Sequence, residues 1–77
     1  MNKISPEHFY VLIGKNVAKF RKEKNLSQLD LSLQMGYKSV SVISGAEIYY
    51  NGTHFNLEHL LKISQILEIE LCEFLKE

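Results

Sequence analysis

The chain contains one cysteine, Cys72, so no internal disulfide framework and no multi-cysteine metal site is available, and the fold must be held by packing alone. A lone thiol of this kind points to a reducing compartment, the cytoplasm. No apolar run approaches the roughly 20 residues that span a bilayer. The opening residues Met1-Asn2-Lys3-Ile4-Ser5-Pro6 do not lead into the uninterrupted apolar core of a signal peptide. A soluble, unprocessed protein is expected. Paired carboxylates, a nucleophile motif and a Gly-rich phosphate loop are all missing, and His8, His54 and His59 are scattered without metal-ligand spacing. Enzyme chemistry, a metal and a cofactor are therefore not expected. Cys72, set among Leu71, Phe74 and Leu75, reads as core filler.

Net charge is lacking too: nine basic residues balance nine acidic ones. The charges are nevertheless polarised along the chain. Residues 1–40 carry Lys3, Lys15, Lys19, Arg21, Lys22, Lys24 and Lys38 against Glu7, Glu23 and Asp30, a balance of +4. Residues 41–77 carry Lys62 and Lys76 against Glu47, Glu58, Glu68, Glu70, Glu73 and Glu77, a balance of −4. Such a chain can turn a positive face to phosphates and keep its far end acidic.

What is present is one domain's worth of helix. A length of 77 residues, 45% of them hydrophobic, closes one compact core and leaves no room for a second domain of ordinary size. Ser5-Pro6-Glu7 is a helix start: Ser caps free amides, Pro fits the first helical position and Glu faces the positive end of the dipole. Phe9, Ile13, Val17 and Phe20 then recur at three- and four-residue steps, which predicts a first helix from about 6 to about 24, with Lys15, Lys19 and Lys22 on its other faces. Asn25 suits the left-handed residue that often ends a helix. Ser27, with Asp30 three residues on, caps a second helix that ends at Gly36. Ser39 is the expected cap of a short third helix ending near Glu47 or Ile48, with Ile43 and Ala46 on its inner side. Two helices joined by so few residues must cross steeply, which makes Gln28 to Glu47 a helix-turn-helix corner. A polar loop, Tyr49 to Phe55, leads to Asn56 as cap of a fourth helix with a wide apolar face of Leu57, Leu60, Leu61, Ile63 and Leu67. Leu71, Phe74 and Leu75 suggest a last short helix, and no strand or repeat is visible.

Ile13-Gly14, Val17, Phe20, Arg21, Leu26-Ser27-Gln28, Leu31-Ser32, Met35-Gly36, Ile43-Ser44 and Glu47, followed by Leu57, Leu60, Leu61, Ile63 and Leu67, resemble the Cro-repressor or XRE-type helix-turn-helix family. The resemblance covers residues 13–75, and residues 1–12 then lengthen the first helix. It implies an all-α, compact five-helix domain with a lambda-repressor-like DNA-binding fold, acting as a sequence-specific duplex-DNA-binding transcriptional regulator, a small dimeric repressor. It also implies a structural ion pair of Arg21 with Glu47, fixing the third helix without touching DNA. Two departures stand out: the turn near Lys38 holds one extra residue, and the loop from Ile48 to Asn56 is longer than usual.

On this resemblance the third helix is the reading element, exposing Val40, Ser41, Val42, Ser44 and Gly45, with Gly45 letting the backbone approach DNA. Val can touch the thymine methyl and Ser can hydrogen-bond, but no Arg, Asn or Gln is there for a bidentate base contact. Gln28, Lys38 and Ser39 are the expected phosphate contacts, extended by Tyr49, Tyr50 and Asn51. Since one such unit covers only a half-site, a homodimer is expected, through the C-terminal Ile69, Leu71, Phe74 and Leu75. Leu29 and Leu33, apolar where the family is commonly polar, are expected to lie under Phe9 or Tyr10. A protein-binding module of the same fold, as in an antitoxin or adaptor, stays open beside the DNA reading.

Overall fold

A computed structural model describes residues 4–77. Helix α1 spans Pro6–Glu23, α2 Gln28–Gln34, α3 Ser41–Glu47 and α4 Leu57–Leu67; a 3-10 turn at Tyr50–Gly52 follows α3, and another at Leu71–Leu75 closes the domain. There is no strand among the described residues. The five-helix expectation is thus corrected in one respect: the last element winds as a 3-10 turn, not as an α-helix.

Local chemistry sets most of the boundaries. The Ser5 hydroxyl accepts from the His8 N–H with Pro6 in the first turn, and Ser27 and Asp30 form a reciprocal capping box at α2. Asn56 and His59 form another at α4, Asn56 Oδ1 accepting from the His59 N–H at 2.7 Å and His59 Nδ1 accepting from the Asn56 N–H at 3.1 Å. Asn25 takes the left-handed conformation after α1, at φ 60°. At the N-terminus of α3 the expectation fails. Val40, not Ser39, is the capping residue, and no side chain caps the helix. Ser39 falls one residue before the cap, its hydroxyl 3.5 Å from the Ser41 nitrogen and 3.0 Å from the Ser41 hydroxyl.

The core is assembled from one face of each helix: Ile13 and Val17 of α1, Leu31 and Met35 of α2, Ile43 and Ala46 of α3, and Leu60, Ile63 and Leu67 of α4, closed by Phe55 and Phe74. Phe74 is fully buried and meets Phe20 edge-on at a centroid distance of 5.9 Å. The Asn16 amide donates to the carbonyls of Phe74 at 2.8 Å and Lys76 at 2.7 Å, which fastens the closing 3-10 turn to the middle of α1. Gly14 is required where α1 crosses the end of α3: a Cβ there would lie 2.6 Å from the carbonyl oxygens of both Ala46 and Glu47. Ser32, where α2 and α3 pack closely, is also fully buried, and its hydroxyl has no hydrogen-bond partner.

Burial corrects four further expectations. Leu29 and Leu33 are 45% and 54% exposed, because Phe9 and Tyr10 pack elsewhere, around Ile13, Phe55 and Leu60. Leu57 and Leu61 are 75% and 51% exposed, so the apolar face of α4 outruns its buried stripe. Cys72 is exposed, since the 3-10 turn points Phe74 inward and Cys72 out. Phe74, expected at a dimer surface, belongs to the core and is unavailable for one.

Candidate nucleic-acid interface

The α2–α3 corner is fixed from behind by a buried polar network. Arg21 Nε donates to Glu47 Oε2 at 2.7 Å and Nη2 donates to Oε1 at 3.2 Å. The remaining donor, Nη1, reaches the Leu26 carbonyl at 2.7 Å, so one guanidinium binds the end of α3 and the segment entering α2. Gln28 Nε2 completes the network by donating to Glu47 Oε1 at 2.8 Å. The Arg21 and Glu47 side chains are only 8% and 4% exposed. Two charges so deprived of water persist only with close geometry and further hydrogen bonds, and this fork, engaging all three guanidinium nitrogens and both carboxylate oxygens, supplies both.

Around this frame the expected contact residues divide. Lys38, Ser39 and Ser41 are exposed together on the turn and the first residues of α3, while Val40, Val42 and Ser44 are part-buried beside them. The Ser44 hydroxyl donates back to the Ser41 carbonyl at 3.4 Å, as serine often does within a helix. Gln28 is part-buried: its side-chain amide donates to Glu47, so the group expected to hold a phosphate also serves as an internal strut. Gly45 has a second role inside the protein, beside the Thr53 side chain. A Cβ there would come within 3.3 Å of the Thr53 methyl, so the glycine makes room for the protein's own loop.

That loop is unusually constrained. Tyr49 and Asn51 both adopt left-handed backbone conformations, at φ 56° and φ 50°, beside Gly52 at φ 79°. Non-glycine residues held there cost about 1–3 kcal/mol each, so neighbouring packing must compensate. Tyr10 supplies that packing: its ring is stacked on His54 at 3.8 Å between centroids and on Tyr49 at 6.0 Å. A His54 ring nitrogen also lies 3.0 Å from the Gly52 carbonyl oxygen. Tyr49 is therefore tied to α1, whereas Tyr50 and Asn51 are exposed.

Sequence reasoning missed Ile48. It is 71% exposed directly after α3 and lies one and two turns beyond Ser44 and Ser41, on the same helical face. The helical spacing that buries Ile43 and Ala46 turns Ile48 outward. Near α4, burial lowers the pKa of His59 below its ordinary value, with Lys62 and His54 acting in the same direction and Glu58 opposing. Among the described residues no three His, Cys, Asp or Glu side chains are grouped so as to hold a metal ion, and no helix is long and apolar enough to cross a membrane.

A family model described as Helix-turn-helix matches residues 17–74, from the middle of α1 to Phe74 of the closing turn. The chain belongs to the helix-turn-helix family, of the Cro-repressor or XRE type. This is a family of DNA-binding regulatory domains, not of enzymes. Within the helix-turn-helix match fall the whole Arg21–Glu47–Gln28 network and the α2–α3 corner; Tyr10, which braces the loop after α3, lies outside it. A comparison with curated proteins returns no match.

Proposed function

We propose that this helix-turn-helix protein is a small dimeric repressor that binds duplex DNA sequence-specifically, with α3 in the major groove. The observation that carries the reading is the Arg21–Glu47–Gln28 network: it locks the end of α3 to α1 and α2, leaving Ser41, Ser44 and Ile48 as one outward face with Lys38 and Ser39 beside it. A rigid helix with a solvent-facing edge is what direct readout requires. That edge is small and weakly polar, which favours DNA shape and backbone contacts over bidentate base contacts as the source of specificity. Lys38, Ser39, Gln28 and the exposed Asn51 are the phosphate contacts on this reading, with Tyr49 placing the loop that carries Asn51. Action at the nucleoid, in the cytoplasm, follows from such a role.

Dimerisation supplies the second half-site. With Phe74 in the core, the surface we assign to it is Ile69 and Leu71 with the exposed Leu61, which line one shallow depression at the acidic end of the molecule. Selection of bound sequences from a random duplex pool tests the DNA reading: an enriched inverted repeat with half-sites about 34 Å apart is expected. A pool recovered without enrichment overturns it. Sedimentation of Leu61→Glu tests the dimer surface, with a shift to monomer expected and an unchanged dimer excluding this face.

A second reading, a protein-binding module, is favoured by one observation: Leu29 and Leu33, one turn apart on α2, form an exposed apolar pair. Failure of the wild-type chain to bind any duplex at low salt selects it.

A further inference from the structure

Lys15, Lys19 and Lys22 succeed one another at steps of four and three residues along α1, the spacing of a single helical face, and all three are exposed. They form one wall of a shallow cleft whose opposite wall includes Gln28 of α2 and Ile48 at the exit of α3. None of the three makes an ion pair among the described residues; the lysines that do are Lys62 with Glu58 and Lys76 with Glu73. The carboxylate inside the cleft, Glu47, is neutralised by Arg21. Glu23, one turn from Lys19, makes no ion pair with it. The Lys19 ammonium lies 5.2 Å from the ring centroid of Phe20, a residue outside the cleft, and a cation over a ring keeps its charge. The cleft therefore presents uncompensated positive charge to solvent in a protein with no net charge.

We propose that this cleft seats the sugar–phosphate backbone of the duplex strand flanking the groove read by α3, so that α1 provides a second row of phosphate contacts beside those of the α2–α3 corner. The inference rests on the DNA-binding reading and deepens it. Continuity supports it: Ile48 belongs both to the cleft and to the outward face of α3. The row's length fits as well. From Lys15 to Lys22 the helix rises about 10 Å, long enough for the three ammonium groups to meet separate phosphates of one strand. The charges are all lysines, compact point charges with no planar fork, suited to phosphates met at varying angles rather than to carboxylates gripped in one geometry.

Equilibrium binding of the full chain to random-sequence duplex, between 50 and 200 mM salt, tests the proposal. Each lysine that neutralises a phosphate adds about 0.9 to the slope of log affinity against log salt. K15Q/K19Q is expected to reduce the slope by about 1.8, so that over this fourfold salt range the wild type loses about 12-fold more affinity than the variant. Adding K22Q raises the loss of slope to about 2.7, a difference of about 40-fold. The charge-matched control K62Q/K76Q is expected to keep the wild-type slope, and all variants the wild-type melting temperature. A salt-dependent wild type whose slope K15Q/K19Q leaves unchanged, or reduces no more than K62Q/K76Q does, overturns the α1 row and spares the DNA reading. A wild type that binds no duplex at 50 mM salt overturns both and points to an acidic protein partner.

Discussion

At its C-terminal end α3 is gripped from three sides: Arg21 forks onto Glu47, Gln28 adds a third hydrogen bond to the same carboxylate, and Gly14 lets the α1 backbone press against the carbonyls of Ala46 and Glu47. At its N-terminal end the same helix begins on Val40 with no capping side chain. A helix clamped at one end and uncapped at the other has its axis set from its C-terminus, while the amides of its first turn have no side-chain partner. Groove recognition uses that first turn, whose side chains must adapt to the base edges they meet. On the proposed reading, the difference between the ends separates aiming from contact.

Breaking the clamped end has the largest expected effect. Arg21→Ala leaves Glu47 buried and unpaired, which costs about 3–5 kcal/mol and lowers the melting temperature by on the order of 15 °C or more. A thermal scan within a few degrees of wild type shows that the pair carries no such load. Gly14→Ala strikes the same end through shape alone. Its Cβ, 2.6 Å from two carbonyl oxygens, forces α1 from α3 at a cost of about 1–3 kcal/mol, read as a lower urea midpoint.

The open end responds weakly, which sharpens the contrast. Val40→Ser introduces a good capping residue, yet Val40 sits at ψ −5°, helical and not extended, so the new hydroxyl is poorly aimed at the free amides. A gain below about 0.5 kcal/mol is expected, against the typical ~1 for a well-formed cap. A gain above that shows the turn refolding around the new cap. The smallest effect is acid sensitivity near this end. His59 touches Tyr37, in the turn that feeds α3, at a centroid distance of 6.2 Å, and its Nδ1 accepts the Asn56 N–H. Its folded pKa lies below the unfolded one, chiefly through burial, so the folded state binds fewer protons. The associated stability is complete above the unfolded value of about 6.5 and is lost as pH falls through the folded value. His59→Gln keeps a side chain able to complete the capping box, and chemical denaturation from pH 7 to pH 5 is expected to show a flatter profile for this variant.

Much of the frame was legible because it is written in local chemistry. Ser5, Ser27 and Asn56 cap as their spacing predicts, each with an extended backbone that aims its side-chain oxygen at the amide three residues on. Ser39 misled because capping needs backbone geometry as well as residue type: the helix starts from Val40, whose own backbone is already helical. Leu29 and Leu33 misled differently. Their apolarity demanded cover, and periodicity identified Phe9 and Tyr10 as spare apolar groups, but it cannot say that α1 crosses on the far side of the core. Phe74 and Cys72 exchanged roles because three residues per turn aims side chains differently from 3.6. At the candidate interface the expected Lys38, Ser39 and Ser41 do lie together, whereas Gly45 and Tyr49 turn toward the protein. Thr53 beside Gly45, and Tyr49 itself, are placed by the long loop, whose path depends on contacts with α1 that sequence spacing does not encode.

The two hydrogen bonds from Asn16 to the carbonyls of Phe74 and Lys76 join positions 58 and 60 residues apart. On a ribosome, α1 is finished long before Phe74 is made, so until that ring clears the exit tunnel one wall of the core is missing. Every helix of the corner can form early, but the cooperative state awaits the closing turn. Nascent chains stalled just short of Phe74 should therefore stay open to proteases and chaperones, and the reading face should reach its working shape only after the final wall is in place.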